Sequence, residues 1–224
     1  MQIALVLYPG FTALDVIGPY EVFNLMPDTE MVFVSNTAGP VVADSGVLSV
    51  IATHSFADVP DPDLVLVPGG STGTGPAMED PELTGWLRQV NETTSWTTSV
   101  CGGAMVLGAA GILDGRPATT HWTAQDMLKN FGAQSRPHDR IVRDGKIATA
   151  AGVSSGIDFA LWLAGELHGR ETAEMIQLAI EYDPQPPFDA GHPSKVSEDL
   201  RQRTLTAMVP DSAPRLEGTG TAAG

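Results

Sequence analysis

The sequence predicts an α/β fold, with a mostly parallel central sheet covered by helices and a sharp strand-to-helix elbow that carries the single cysteine. Three observations predict it. Strand-like runs alternate with helical ones, which is the pattern of βαβ units. Leu64-Val65-Leu66-Val67 lacks polar alternation, as a strand buried on both faces does. The β-branched run from Ser95 to Val100 gives way at Cys101-Gly102-Gly103 to a stretch in which Ala104, Met105, Leu107 and Ala110 suit a helix packed on a sheet.

Taken in order, Ile3 to Leu7 reads as the first strand, Gly18 to Leu25 as a helix and Met31 to Ser35 as the second strand. Val41-Val42-Ala43 and Val47 to Val50, separated by Asp44-Ser45-Gly46, form a hairpin. The buried strand stops at Pro68-Gly69-Gly70, and Ser71 to Pro76 is a glycine-rich loop without a phosphate-binding lysine. Pro81 to Asn91 is a helix capped by Asp80 with proline at its first position. Beyond the elbow helix, which Gly111 ends, a turn at Leu113 to Arg116 leads to a short strand, Ala118-Thr119-Thr120. Thr123 caps a helix over Ala124 to Asn130, and Asp144-Gly145 joins two hairpin strands. Helices over Ile157 to Leu167 and Glu171 to Glu181 follow, then the breaker Asp183 to Pro187, then a helix from Ser194 to Met208. The expected organisation is one domain over 1–209 and a mobile, Ser/Thr/Gly/Ala-rich tail over 210–224.

Composition narrows the function classes. Twelve Lys and Arg against 27 Asp and Glu give a net charge of -15, which argues against a nucleic-acid partner, because phosphate binding needs cationic side chains. No apolar run is long enough to span a membrane, and Pro9-Gly10 comes too early for a signal peptide. One cysteine makes no internal disulfide and no Cys/His cluster has metal spacing, so the expectation is a cytoplasmic protein without a metal.

A cysteine at a strand-helix turn is expected to sit exposed at its tip, where helix N–H groups favour the thiolate. Glycines 102 and 103 admit the close backbone approach of such a turn, the geometry of a nucleophile elbow. A nucleophilic thiolate needs a partner that moves protons. Asp15, in Leu14-Asp15-Val16-Ile17, stands among apolar neighbours, where a carboxylate is either held by partners, catalytic, or a cap for its own helix start. His121 reads first as a packing residue beside Trp122, with polarisation of the site as its other reading. Backbone amides near Gly70 could face the nucleophile, since ligands in open α/β sheets bind beyond the carboxyl ends of strands.

Leu14-Asp15-Val16-Ile17-Gly18-Pro19-Tyr20-Glu21-Val22-Phe23, Val67-Pro68-Gly69-Gly70, Ser99-Val100-Cys101-Gly102-Gly103 and Ala118-Thr119-Thr120-His121-Trp122 together resemble the ThiJ/PfpI superfamily, and within it most the isocyanide hydratases. The resemblance runs from the first strand to about Phe188. It implies a flavodoxin-like three-layer sandwich, a homodimer, and a cysteine at the elbow paired with an acidic residue from the first βα connection, the positions of Cys101 and Asp15. Peptidase-like members place histidine directly after the nucleophile, where this chain has Gly102. Class I glutamine amidotransferases use a His-x-Glu pair that is absent here. The AraC-type regulators continue into a DNA-binding domain, for which the 36 residues after Phe188 (224 minus 188) are expected to be too few. One departure is that isocyanide hydratases carry threonine after the cysteine, so Gly102 removes a hydroxyl near sulfur and keeps the backbone N–H.

The activity implied is cofactor-free hydration of a small organic isocyanide to an N-substituted formamide, with attack by Cys101, proton transfer by Asp15 and a thioimidate intermediate. Backbone N–H groups of Gly70 and Gly102 are the expected donors to developing negative charge. Val153 and Trp122 are the expected apolar walls, with His121 beside the substrate. A glyoxalase or deglycase acting on reactive carbonyls is the alternative enzyme, and a redox sensor with an exposed, easily oxidised Cys101 is the non-catalytic alternative.

Overall fold

The computed structural model describes residues 1–208, and the expected tail over 210–224 lies outside the described residues. The packing divides the chain into two compact units, Met1–Tyr182 and a second that begins at Asp183. The sequence predicts one domain over 1–209. The division falls at the proline-rich breaker, where Pro184, Pro186 and Pro187 remove backbone donors.

In the first unit, β1 (Gln2–Val6) leads through α1 (Ala13–Phe23) to β2 (Glu30–Ser35). An antiparallel hairpin of β3 (Gly39–Val42) and β4 (Ser49–Ala52) follows, then β5 (His54–Ser55) and β6 (Leu64–Val67). Next come α2 (Thr74–Glu79), α3 (Pro81–Thr93), β7 (Trp96–Val100) and α4 (Gly103–Ala109). A two-stranded pair of β8 (Pro117–Ala118) and β9 (Gln134–Ser135) brackets a 3₁₀ segment, Trp122–Phe131. The hairpin of β10 (Ile141–Asp144) and β11 (Ile147–Ala150) then leads to α5 (Ser155–His168) and α6 (Arg170–Ala179).

The main sheet has seven strands in the order β10-β11-β7-β6-β1-β2-β5, all parallel except the edge strand β10. Every residue of β6 and β7 is buried, as the unbroken apolar run of β6 and the β-branched run of β7 predict. Helices cover the sheet in two packed groups, α1 with α5 and α6, and α2 and α3 with α4. This is the α/β sandwich expected. Small residues set one group: a Cβ on Gly18 would lie 2.9 Å from Ile157 Cγ1, and one on Gly156 would lie 3.2 Å from Pro19 Cγ. That close crossing of α1 and α5 brings the first turn of α1 over the end of β7.

Several boundaries differ from the sequence reading. Helix α1 starts at Ala13, five residues earlier than the expected Gly18, so Asp15 is inside the helix and Pro19 lies within it. Thr74–Glu79 is helical where a loop was expected. The 3₁₀ segment is capped by the ring Nδ1 of His121, which accepts the N–H of Thr123 at 3.4 Å; Thr123 itself is not the cap. The β10–β11 turn is Gly145-Lys146, because Asp144 already pairs with Ile147. In the second unit, α7 (Glu198–Ala207) starts four residues later than the expected Ser194, and Ser197 Oγ caps it by accepting the Leu200 N–H at 3.2 Å.

Candidate active site

The ends of β1, β6, β7 and β11 converge on Cys101. Its φ of +57° is left-handed backbone on a residue with a Cβ, the strained turn expected of an elbow. Hydrogen bonds hold it there: the Cys101 N–H donates to Ala150 O (3.1 Å) and Ala151 O (2.9 Å), and Thr120 Oγ1 donates to Cys101 O (2.7 Å). Close packing of two strand ends completes the turn. A Cβ on Gly103 would collide with the Val67 carbonyl, and one on Gly69 with the Gly102 nitrogen, so the Pro68-Gly69-Gly70 and Cys101-Gly102-Gly103 segments cross at backbone distance.

The expected exposure of Cys101 is corrected by the structure. The residue is only 8% exposed. Burial, followed by the negative charge of Asp15, pushes its thiol up to about 12, against the lowering effect of hydrogen bonds from the Val153 and Gly102 N–H groups. Helix-end amides are present as expected, but desolvation outweighs them.

Asp15 is fully buried, with 0% exposure. Its carboxyl is raised to about 7, first by desolvation, while the Gly69 N–H and the Cys101 thiol stabilise the anion. Gly69 N–H donates to Oδ2 at 2.8 Å. Oδ1 makes no hydrogen bond of ordinary geometry, although the carboxyl and the thiol are close enough for each to shift the other. Asp15 therefore does not cap its own helix: its backbone partner belongs to the β6 end. The two groups titrate as a pair, and the anionic charge favours the carboxylate while the proton rests on sulfur.

Around this pair the structure adds residues that the sequence reading missed. Tyr8, at the end of β1, is buried and donates to Pro68 O at 2.6 Å. Desolvation, with further raising by Asp15 and Cys101, holds its hydroxyl far above the usual tyrosine range. Thr74 Oγ1 lies 3.4 Å from Tyr8 Oη and accepts the Gly70 N–H at 2.8 Å. Asp44, in the β3–β4 turn, accepts from Thr12 Oγ1 (2.6 Å) and Ser71 Oγ (3.0 Å), which pins the hairpin to the start of α1 and to the loop after β6. Position at a strand end was the available signal for Tyr8; for Thr74, 66 residues away, there was none.

The remaining candidates separate. The Gly70 N–H, expected to face substrate, is engaged by Thr74. The Gly102 N–H faces the thiol, as does that of Val153, whose φ of +29° is unusual for a β-branched residue. Val153 thus acts on sulfur through its backbone. His121 packs against Gly152, where an added Cβ would collide with its ring, and burial lowers its titration, so the imidazole is neutral near pH 7. Trp122 lies beside it with ring centroids 5.8 Å apart. Among the described residues, no three His, Cys, Asp or Glu side chains cluster as a metal site.

The model of the DJ-1/PfpI family matches residues 1–166. The chain belongs to the DJ-1/PfpI family. It is 43% identical over 212 residues to the isonitrile hydratase of Pseudomonas putida, covering 93% of this chain and 92% of that one. A crystal structure of a ThiJ/PfpI family protein from Pseudomonas syringae superimposes with a TM-score of 0.88 at 38% identity, covering 91% of this chain and 84% of the other. Drosophila melanogaster DJ-1beta shares the fold, with a TM-score of 0.72 at 22% identity over 80% of this chain and 97% of its own. The family fold is the flavodoxin-like sandwich anticipated from the motifs.

Proposed function

We propose that this chain hydrates an organic isocyanide to the N-substituted formamide through Cys101 and Asp15. The observation that carries the reading is the buried thiol–carboxyl pair on a strained elbow; the similarity to an isonitrile hydratase across nearly the whole chain supports it.

Between about 7 and about 12 the pair holds one proton. As sulfur attacks the terminal carbon of R–N≡C, that proton passes to Asp15 and from there to the carbon, giving the thioimidate R–N=CH–S–Cys101 and an Asp15 carboxylate. Asp15 next takes a proton from water as the oxygen adds to carbon, and returns it to nitrogen, giving R–NH–CH(OH)–S–Cys101. Collapse sends the hydroxyl proton to Asp15, breaks the C–S bond and releases R–NH–CHO. The thiolate and the acid then share one proton again, so each turnover consumes one water and nothing else. The N–H groups of Gly102 and Val153 stabilise sulfur whenever it carries charge.

The burial and high thiol range of Cys101 disfavour the redox-sensor reading, since oxidation-sensing cysteines are exposed and of low pKa. The test is incubation of purified protein with aryl and alkyl isocyanides and with methylglyoxal, following formamide and lactate. Formamide production supports the proposal; lactate without formamide replaces it with the glyoxalase reading.

A further inference from the structure

Beside the nucleophile, one hydroxyl proton is held only by a long hydrogen bond. The Gly70 N–H donates to Thr74 Oγ1 at 2.8 Å, which anchors the threonine oxygen as an acceptor. Tyr8 Oη lies 2.6 Å from the Pro68 carbonyl oxygen, which can only accept, so the single tyrosine proton is committed there. At the 3.4 Å contact between Tyr8 and Thr74, any donor must therefore be Thr74. That separation exceeds the about 2.5–3.0 Å of an ordinary O–H···O bond. The Thr74 hydroxyl is thus fixed as an acceptor, and its proton is held only by this long contact to Tyr8, which a better acceptor can displace.

Its position is equally specific. A Cβ on residue 102 would lie 2.8 Å from Thr74 Oγ1, so the hydroxyl fills the space that a side chain directly after the nucleophile would take. Glycine at 102 is what admits it. Thr74, Gly70 and Gly102 are only partly buried, unlike Tyr8 and Asp15, so this edge of the site is open to solvent.

We infer that the Thr74 hydroxyl is the side-chain hydrogen-bond donor of the site, in place of the Gly70 N–H that it occupies, and that it holds the substrate nitrogen while water adds to the thioimidate. This rests on the isocyanide reading. Addition to the C=N bond places negative charge on nitrogen, and a preorganised donor there lowers the barrier without giving up its proton. Thr74 makes and breaks no covalent bond, and Asp15 still supplies the proton.

The experiment compares Thr74→Val, Thr74→Ser, Gly102→Ala and the double variant Thr74→Val/Gly102→Ala, with kcat and KM measured separately on one isocyanide and Cys101 alkylation by iodoacetamide measured alongside. Valine keeps the shape and removes the hydroxyl, so kcat should fall about 10²-fold, the usual loss for one such donor. Serine should recover most of it. Alanine at 102 displaces the hydroxyl and should also lower kcat, but it should add little to the kcat loss of Thr74→Val, where it displaces a methyl and no donor. Alkylation should stay within about two-fold in Thr74→Val and Thr74→Ser, which leave the thiol's own partners unchanged. Near-wild-type kcat in Thr74→Val, full additivity in the double variant, or an alkylation rate that falls in parallel with kcat in Thr74→Val would overturn the assignment. If wild type turns over methylglyoxal and no isocyanide, the isocyanide reading fails, and the same four variants judge the donor on the carbonyl oxygen. Absence of turnover on both substrates removes both proposals.

Discussion

The elbow at Cys101 and the hairpin turn at Gly46 place the backbone in the same left-handed region for different reasons. Gly46 has φ +76° and open space around its Cα, so the conformation costs it little. Cys101 has φ +57° with a Cβ and a sulfur attached, which costs of order 1–3 kcal/mol. Two carbonyls on its N–H and the Thr120 hydroxyl on its C=O hold it there. The hairpin is also open, with Val47 91% exposed, whereas Cys101 is only 8% exposed and its partner Asp15 is fully buried. Strain is thus tolerated where the surroundings over-determine it, and it aims sulfur at a carboxyl that burial has made a proton carrier.

The largest expected effect is at the sulfur. Cys101→Ala removes the nucleophile, and formamide production should fall to background while the circular dichroism spectrum is retained. Turnover by the folded alanine variant would sink the thioimidate mechanism.

Asp15→Asn comes next, with a loss of about 10²–10⁴ in kcat, the usual range for general acid–base catalysis. The wild-type pH profile sharpens this. A second proton on the pair blocks attack, so kcat/KM should fall as pH drops below about 7, the value to which burial raises Asp15. That limb should be missing from the residual activity of Asp15→Asn. Stability runs the other way. The carboxyl ionises near 4 in the unfolded chain and about 7 in the folded one, so stability is full below about 4 and is lost as pH rises through about 7. The shift from 3.8 to about 7 corresponds to at most roughly 4 kcal/mol. Asp15→Asn should therefore melt higher than wild type at pH 8 and match it near pH 4. A higher-melting wild type at pH 8 would show that the hydrogen bonds to the carboxylate outweigh its desolvation.

These two residues were legible because each broke a local pattern: the only cysteine at a change of periodicity, and a carboxylate in an apolar stretch. The fold was legible because β6 is too uniformly apolar to be an edge strand and β7 is rich in β-branched residues up to the elbow. What stayed hidden depends on pairings across the chain. The burial of Cys101 is produced by α1 and by the β6 end, and the engagement of Gly70 by Thr74 depends on a short helix that a glycine-rich sequence does not announce. Capping at His121 was missed because a ring nitrogen is a less familiar cap than a hydroxyl.

Gly103→Ala tests whether packing at the strand ends, and not glycine flexibility, sets the elbow. The helical backbone of Gly103 suits alanine, but its Cβ would collide with the Val67 carbonyl, a backbone atom that cannot swing aside. Destabilisation of about 3 kcal/mol is expected in urea, at the upper end of overpacking effects. A loss below about 1 kcal/mol would mean that the two strand ends separate easily.

Gly46→Ala should have the smallest effect, and it isolates the conformational cost without any collision. Nothing lies within 4 Å of an added Cβ there, so the whole penalty comes from placing a Cβ at φ +76°. For an L-residue this is about 1 kcal/mol, and asparagine, which tolerates the left-handed region, should cost less. Asp44, two residues earlier, keeps its bonds to Thr12 and Ser71, so turnover should stay within about two-fold under so small a perturbation. The informative outcome is the order alanine below asparagine below glycine in urea midpoint. If alanine equals glycine, left-handed backbone is cheap in this turn, and the strain ascribed to Cys101 would have to be measured at the elbow itself.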